Sequence, residues 1–467
     1  MRLPPPAVRR ETSALLRLAV PLALAQGGQA LMGLVDTIVV GRAGAVPLAG
    51  TGLGSSLFLA VSVFGMGVMA GLDPLVAQAV GAGDAPRARR LLWQGVWLAG
   101  GVAAALAVPI LAVPRLLVPL GIGPDVAEQA GRHLVARLPG LPFLLLFLAG
   151  RAYLQGSGAV RAVLVATLVA NAVNVPADLL LVYGGAGLPA WTGPLRAIPP
   201  LGAGGAGLAT SLASLVQAGV VALAIRGLRA GHGARGLRRP RPDDLRAAIR
   251  VGTPIGLHLL AEVGIFALVS FLAGRLGAGS LAAHQVAISV ASLTFTVAVG
   301  LGSGGSIRVG WAVGARDREA ARRAGLVAFG VGAAFMGGTA LVLAAFAGPI
   351  ARAFSGDPAV VAAAVPLLRI AAAFQVSDGI QGVGAGVLRG AGETRFTFLA
   401  NMVGHWALGV PCAVALGLGA GLGVVGLWCG FVLGLSAVAA ALLARFLRIS
   451  RREIAPIDAG DLDVSLR

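Results

Sequence analysis

The chain carries little charge for its length. Of 467 residues, 12% are charged and 57% hydrophobic, whereas a soluble domain has about 25% charged residues. Too few polar side chains are present to clothe a soluble fold, so that class is excluded. Lysine is absent, and every basic side chain is arginine. With the abundance of Ala, Gly and Val, this points to GC-rich, bacterial coding and says nothing about mechanism. Cysteine is scarce: Cys412 and Cys429 both sit in apolar runs, which argues against a disulfide framework or a thiolate metal site. Aromatics amount to 5%, and the arginines are scattered between apolar blocks. The net charge of +18 is therefore not the footprint of a nucleic-acid-binding face. No Walker A, H-E-x-x-H or C-x-x-C motif occurs, so neither ATP hydrolysis on this chain nor zinc or dithiol chemistry is expected. The N-terminus lacks a convincing signal-peptide cleavage site.

What is present is apolar length. Mean hydropathy is +0.87, and a spanning helix needs about 20 apolar residues. Runs bounded by Gly, Pro or Arg predict twelve spans, at 14–40, 47–79, 92–114, 134–155, 161–184, 201–226, 247–274, 280–312, 322–346, 362–388, 396–419 and 422–445. The expected class is an all-α polytopic membrane protein. Arginines cluster in loops 2–3, 6–7 and 8–9 and at both ends of the chain, and by the positive-inside rule these regions are cytoplasmic. Loop 3–4, with Arg115, Arg132 and Arg137, departs from that pattern. Both termini are expected in the cytoplasm, and the membrane is expected to be the bacterial cytoplasmic (inner) one.

The chain repeats itself. GAGDAPRARR begins at 81 and GARDREAARR at 314, a shift of 233, which also superposes Pro21 on Pro254, Gly41 on Gly274 and Gly44 on Gly277. LQGSGAVR from 154 returns as LRGAGETR from 388. Six spans per repeat imply two parallel six-helix lobes related by a pseudo-two-fold axis along the membrane normal, a transporter plan. The expected organisation is a cytoplasmic segment 1–12, an N-lobe 13–226, an Arg-rich linker 227–246, a C-lobe 247–446 and a cytoplasmic tail 447–467, disordered after Arg452. One chain holds both lobes, so a monomer suffices.

A charge at the bilayer centre costs at least about 2.5 kcal/mol, so those kept there are expected to be used. The mid-span ionisable residues are Asp36, Asp178, Glu262, Asp378, His258 and His405. Asn174 and Asp178 are four apart on one helix face, and Pro176 between them removes a backbone donor and frees a carbonyl. With Asp36 and Thr210 they make an oxygen site for a proton or Na⁺. Glu262 with His258 one turn before it, and Asp378 flanked by Gln375 and Gln381, make a second acidic group in the other lobe. The bland alternative is a set of polar contacts that only pin helices together. His405 and His284 read first as packing residues. Asp73, in GLDPLVAQAVGAGD, reads equally as a cap or a solvated group near the cytoplasmic mouth.

The segments PLALAQGGQALMGLVDTIVVGRAGAVPLAGTGLG, GLDPLVAQAVGAGD, SIRVGWAVGARD and FQVSDGIQGVGAGVLRGAGETR, in that order, resemble the multidrug and toxic compound extrusion (MATE) family, in its NorM-like branch. The resemblance covers roughly 13 to 445. It implies an antiporter that expels small organic, often cationic and amphipathic, compounds by alternating access while Na⁺ or H⁺ enters, with no other cofactor. It implies an N-lobe cation site at Asp36, Asn174, Asp178 and Thr210, a C-lobe site at Glu262 and Asp378, and a helix bend at Pro21. A tyrosine frequent in the C-lobe site of the family is Phe374 here. The rival reading is a flippase for lipid-linked precursors, which would line its central cavity with arginines. A membrane enzyme would need a nucleophile and base or a metal cluster, and the sequence offers neither.

Overall fold

The computed structural model describes residues 6–228 and 238–457. All regular secondary structure among the described residues is helical, with no strand. The helices are α1 (Pro6–Gly41), α2 (Ala45–Met69), α3 (Leu72–Gly81), α4 (Ala85–Leu117), α5 (Pro124–Arg137), α6 (Gly140–Gly156), α7 (Val160–Tyr183), α8 (Ala203–Gly227), α9 (Pro242–Arg275), α10 (Ala278–Gly314), α11 (Arg318–Phe354), α12 (Pro358–Gly390), α13 (Thr394–Gly419) and α14 (Gly423–Ile449). Among the described residues eleven stretches are long and apolar enough to cross a membrane, with α2 and α3 forming one of them. The pair α5 and α6, bent by 49°, makes a twelfth. Twelve spans were expected. The fourth begins ten residues earlier than its apolar run, because the polar face of α5 hides it from a hydropathy reading.

Local signals explain the ends. Asp317 caps α11 by accepting from the Ala320 amide at 2.9 Å. Asp357 does the same for α12 through Ala359, with Pro358 in the first turn; both are N-cap preferences. The long helix α13 carries π-type hydrogen bonding over Met402–Gly409 and again over Ala415–Gly419, either side of Pro411, which has no N–H to donate.

The described residues form two compact units. The N-terminal unit comprises Ala25–Leu72 and Ala85–Gly256. The C-terminal unit comprises the chain up to Leu24, Asp73–Asp84 and the chain from Leu257. These units differ from lobes cut at the linker: the beginnings of α1 and α9 have changed places. Each crossing falls two or three residues after a repeat-related proline, Pro21 or Pro254.

Glycine explains the exchange. In the N-terminal unit a Cβ on Gly67 would fall on the backbone of Gly256, and one on Gly71 on the Ala248 carbonyl and the Gly252 amide. In the C-terminal unit the residues 233 positions on do the same work: Gly300 abuts Ala23, and Gly304 abuts Ala19 and Leu15. Helices approach this closely in lipid only where side chains are missing. A third contact pairs the repeats with each other inside the C-terminal unit, Gly81 on the Trp311 backbone and Gly314 on the Gln78 backbone. Turns repeat too: Gly44 has φ 126° and Gly277 112°, while Gly83 at 74° corresponds to Arg316 at 55°, the one described non-glycine residue with positive φ.

Ion pairs fasten the ends. Arg308 holds Glu11 through two bonds of 2.8 and 2.7 Å, and Arg445 chelates Glu393. The buried Gln94 amide brackets the linker, donating to the Arg239 carbonyl and accepting from the Arg241 amide. The tail was expected to be disordered after Arg452. Up to Ile457 it is seated instead, because the Ile457 amide donates to Gln78 Oε1 at 2.8 Å. Residues 458–467 lie outside the described residues, as do the linker arginines Arg229 and Arg235 and the N-terminal Arg2.

The seams predict an asymmetry between equivalent positions. Gly71→Ala drives a methyl into backbone and is expected to cost about 1–3 kcal/mol, read as a lower Tm in detergent. Gly304→Ala finds its nearest atoms, two side-chain carbons and the Ala19 amide nitrogen, at 3.2–3.3 Å and should be the milder change. Gly100→Ala, with nothing within 4 Å, should be neutral or stabilising. Equal losses at Gly71 and Gly100 would remove the seam argument.

Candidate functional site

Three helices of the N-terminal unit bring four expected residues together. Asp36 stands on α1 beyond its crossing point, Asn174 and Asp178 on α7, and Thr210 on α8. Thr210 Oγ1 donates to Asp36 Oδ2 at 2.9 Å and lies equally close to the Ala206 carbonyl, so its single hydrogen is shared. The Asp178 carboxyl neighbours that of Asp36. Asn174 and Asp178 are fully buried, and Asp36 and Thr210 are each 5% exposed. Pro176 leaves the Ala172 carbonyl without its helical donor. Five buried polar atoms have no partner: Asp36 Oδ1, both carboxylate oxygens of Asp178, and Oδ1 and Nδ2 of Asn174. An unmet buried polar atom costs about 1–3 kcal/mol. Here they converge, and four of the five are oxygens. Two carboxylates only accept, so they face one another favourably when a proton makes one of them a donor or when both ligate a cation between them. The donor set fits either.

Asp36 also faces a cavity of about 400 Å³ within the same unit, shared with Gln29, Phe58, Arg137, Thr210 and Gln217. The volume lies in the range of small-molecule sites, about 300–1,000 Å³. Asp36 is thus both the lip of the cavity and the entrance to the Asn174–Asp178 pair behind it. Arg137, half-buried at the end of α5, places its guanidinium 4.4 Å from the centre of the Phe58 ring. Beside it, buried His133 is tied at 3.1 Å to both Ser55 Oγ and the Ala203 carbonyl. From the sequence neither residue stood out as a site candidate: His133 falls just before the expected fourth span at 134–155, and Arg137 counted with the arginines of loop 3–4. The available signal was the run of arginines on the otherwise arginine-poor side.

The C-terminal unit gathers the second group. His258 Nε2 lies 3.5 Å from Glu262 Oε2 on α9. Asp378 on α12 is 6% exposed and within the electrostatic reach of Glu262. His405, on the π-type stretch of α13, also lies within reach of Glu262, which brings a residue first read as packing into the cluster. Gln375 is drawn aside by Thr294 and Thr339 at 2.8 and 3.2 Å. Phe374 stacks on Phe431 at 5.5 Å and meets Trp428 edge-on, so an aromatic wall stands where a hydroxyl would be. His284 bridges Ser270 and the Trp428 indole, a satisfied packing histidine. Asp73 lies 3.6 Å from Arg389, and Cys412 and Cys429 are free. Among the described residues no group of three or more His, Cys, Asp or Glu is placed to hold a metal ion.

Comparison with known proteins decides the family. The profile described as MatE matches residues 21–180 and 254–415, one stretch in each repeat. The chain belongs to the MatE family. A relative from Bradyrhizobium diazoefficiens, named a probable multidrug resistance protein NorM, is 36% identical over 454 residues, covering 94% of this chain and 93% of that protein. Solved structures share the fold. A MATE protein in the straight conformation is 22% identical with a TM-score of 0.84, covering 94% of this chain and 96% of its own. The Vibrio cholerae transporter VcmN in its bent form is 19% identical with a TM-score of 0.83, covering 96% and 98%. The eukaryotic transporter AtDTX14 is 19% identical with a TM-score of 0.80, covering 95% and 98%. This MatE protein is accordingly a multi-span membrane transporter and not an enzyme.

The unmet atoms predict opposite stability effects at two neighbours. Thr210→Val strips Asp36 of its one donor and is expected to cost about 1–3 kcal/mol. Asp178→Asn keeps the shape and removes a buried carboxylate, so Tm should stay level or rise. A drop of several degrees in Asp178→Asn would mean that this carboxylate is compensated by its surroundings.

Proposed function

We propose that this MatE protein is a cation-coupled antiporter that exports small organic compounds across the bacterial cytoplasmic membrane. The observation that carries the reading is the buried Asp36–Asp178 pair with its convergent unmet atoms, open through Asp36 to a cavity of small-molecule size. The cavity contains one arginine, Arg137, rather than the lining expected of a flippase for lipid-linked precursors. The name of the Bradyrhizobium relative supports multidrug efflux as the physiological task.

The coupling ion, H⁺ or Na⁺, enters as cargo. A carboxylate pair in hydrocarbon is costly while both members are charged. An ion arriving from outside neutralises the pair and satisfies Asn174 and Asp178. Asp36 then no longer offers its negative charge to a cationic group in the cavity, and the substrate leaves. Loss of the ion to the cytoplasm restores the charge. Each elementary charge moved down a 100 mV potential contributes about 2.3 kcal/mol. Glu262, Asp378 and His258, joined by His405, form a second candidate coupling group in the C-terminal unit. The arginine distribution supports cytoplasmic termini. Because one chain contains both repeats, the transporter works as a monomer in this reading.

Reconstituted liposomes test it. A fluorescent organic cation should move when a Na⁺ or a pH gradient is imposed, with one gradient effective and the other not. Asp36→Asn is expected to reduce coupled transport at least about tenfold, as loss of an essential charged partner does. Full efflux in both Asp36→Asn and Asp378→Asn, at normal protein levels, would refute carboxylate coupling.

A further inference from the structure

Three side chains on the first turns of α4 fix the end of the linker. The Trp97 indole donates to the Arg238 carbonyl at 2.8 Å. The Gln94 amide donates to the Arg239 carbonyl and accepts from the Arg241 amide. The Trp93 ring lies under the Arg238 guanidinium, 4.8 Å from its centre. All of these residues belong to the N-terminal unit. The backbone is held firmly, while the charges it carries are left over. Arg239 and Arg241 are exposed, and among the described residues no acceptor lies within hydrogen-bond distance of either guanidinium. The carboxylates nearby are engaged elsewhere, Asp244 with Arg90 at 2.8 Å and Asp243 with Arg246 at 3.9 Å.

The adjoining surface is apolar. Trp97 is 52% exposed, and Gly101, Ala104 and Val108 continue its helix face, exposed and within a span. A Cβ on Gly101 would meet nothing within 4 Å, so this face is open to the acyl chains of the bilayer. Tryptophan between charge and hydrocarbon belongs at the level of the lipid headgroups. Fixed arginines above an apolar face complement an amphiphile with an anionic head, and the planar fork of arginine matches phosphate oxygens. A quaternary ammonium is recognised by open aromatic faces. Here Arg238 already covers Trp93, so a choline headgroup meets a second cation instead.

We propose that Arg239, Arg241 and Trp97 form a binding site for an anionic phospholipid, with its phosphodiester between the two arginines and an acyl chain along Trp97, Gly101 and Ala104. The site is separate from both acidic groups and stands whether or not they couple transport.

Native mass spectrometry of the purified, delipidated full-length protein tests it. Phosphatidylglycerol should be retained at least about tenfold more tightly than phosphatidylcholine, the effect expected of two arginines beside a charged headgroup. Arg239→Gln combined with Arg241→Gln should abolish that preference, since both backbone bonds to Gln94 are kept while the charges go. Arg451→Gln combined with Arg452→Gln removes the same charge from exposed positions of the C-terminal unit and should leave the preference intact. Thermal unfolding without lipid checks that each variant is folded. Arg239→Gln alone, expected to lose part of the preference, serves if the double variant unfolds. Equal retention of the two lipids by wild type would overturn the proposal. So would equal losses in the two double variants, which would mean diffuse attraction rather than a site. Inorganic phosphate in millimolar excess should leave the lipid bound; displacement by phosphate alone would assign the arginines to a soluble anion and overturn the lipid.

Discussion

The architecture depends on backbone approaching backbone where side chains are missing. Gly67 and Gly71 admit the beginning of α9, and their counterparts Gly300 and Gly304 admit the beginning of α1. In lipid the hydrophobic effect does not draw helices together, so close van der Waals contact must do so. These contacts send the early part of each of the two helices into the unit that does not hold its later part. The later parts are then free to carry their acids where they are needed. Asp36 lies beyond the crossing on α1, and His258 and Glu262 lie at and beyond the crossing on α9. Packing by glycine and placement of charge are therefore one arrangement seen at two levels.

The second constraint is the cost of a charge in hydrocarbon. The N-terminal unit leaves Asn174 without a hydrogen bond and Asp178 facing only another carboxyl group, that of Asp36. Gln29 and Gln217 line the cavity without turning to them. Such a cluster destabilises the fold, as strain at functional sites does. In the proposed antiporter it is a place kept ready for a small cation. Asp36 joins this cluster to the cavity, and in the proposed antiporter it is the residue through which ion and substrate sense each other.

The two acidic groups are built differently despite the repeat. The N-terminal group is all oxygen and amide, joined at Thr210. The C-terminal group couples carboxylates to His258 and His405 and is walled by Phe374, Phe431 and Trp428. A repeat preserves its seams and turns, as Gly44 and Gly277 show, while its polar residues diverge. No counterpart of the His258–Glu262 pair exists on α1, where the positions 233 residues earlier are Ala25 and Gln29.

Much was legible from the sequence: helical class, the number of spans, the repeat and the acids of both groups. Hydrophobicity and helix periodicity are local properties, and a carboxylate in an apolar run is conspicuous wherever it folds. The bent fourth span was not legible, because the apolar run alone does not reveal α5. Nor was the exchange of helix beginnings, since a glycine does not announce its partner. His405 looked like packing until α13 brought it near Glu262. Arg137 was visible as an arginine on the wrong side, and its place in the cavity was not. By itself the sequence determined which residues must be in the membrane and which charges are expensive there, because those follow from composition along one helix. Tertiary structure alone decided which of those charges meet and which face open space, because that depends on helices hundreds of residues apart touching where a Cβ is absent.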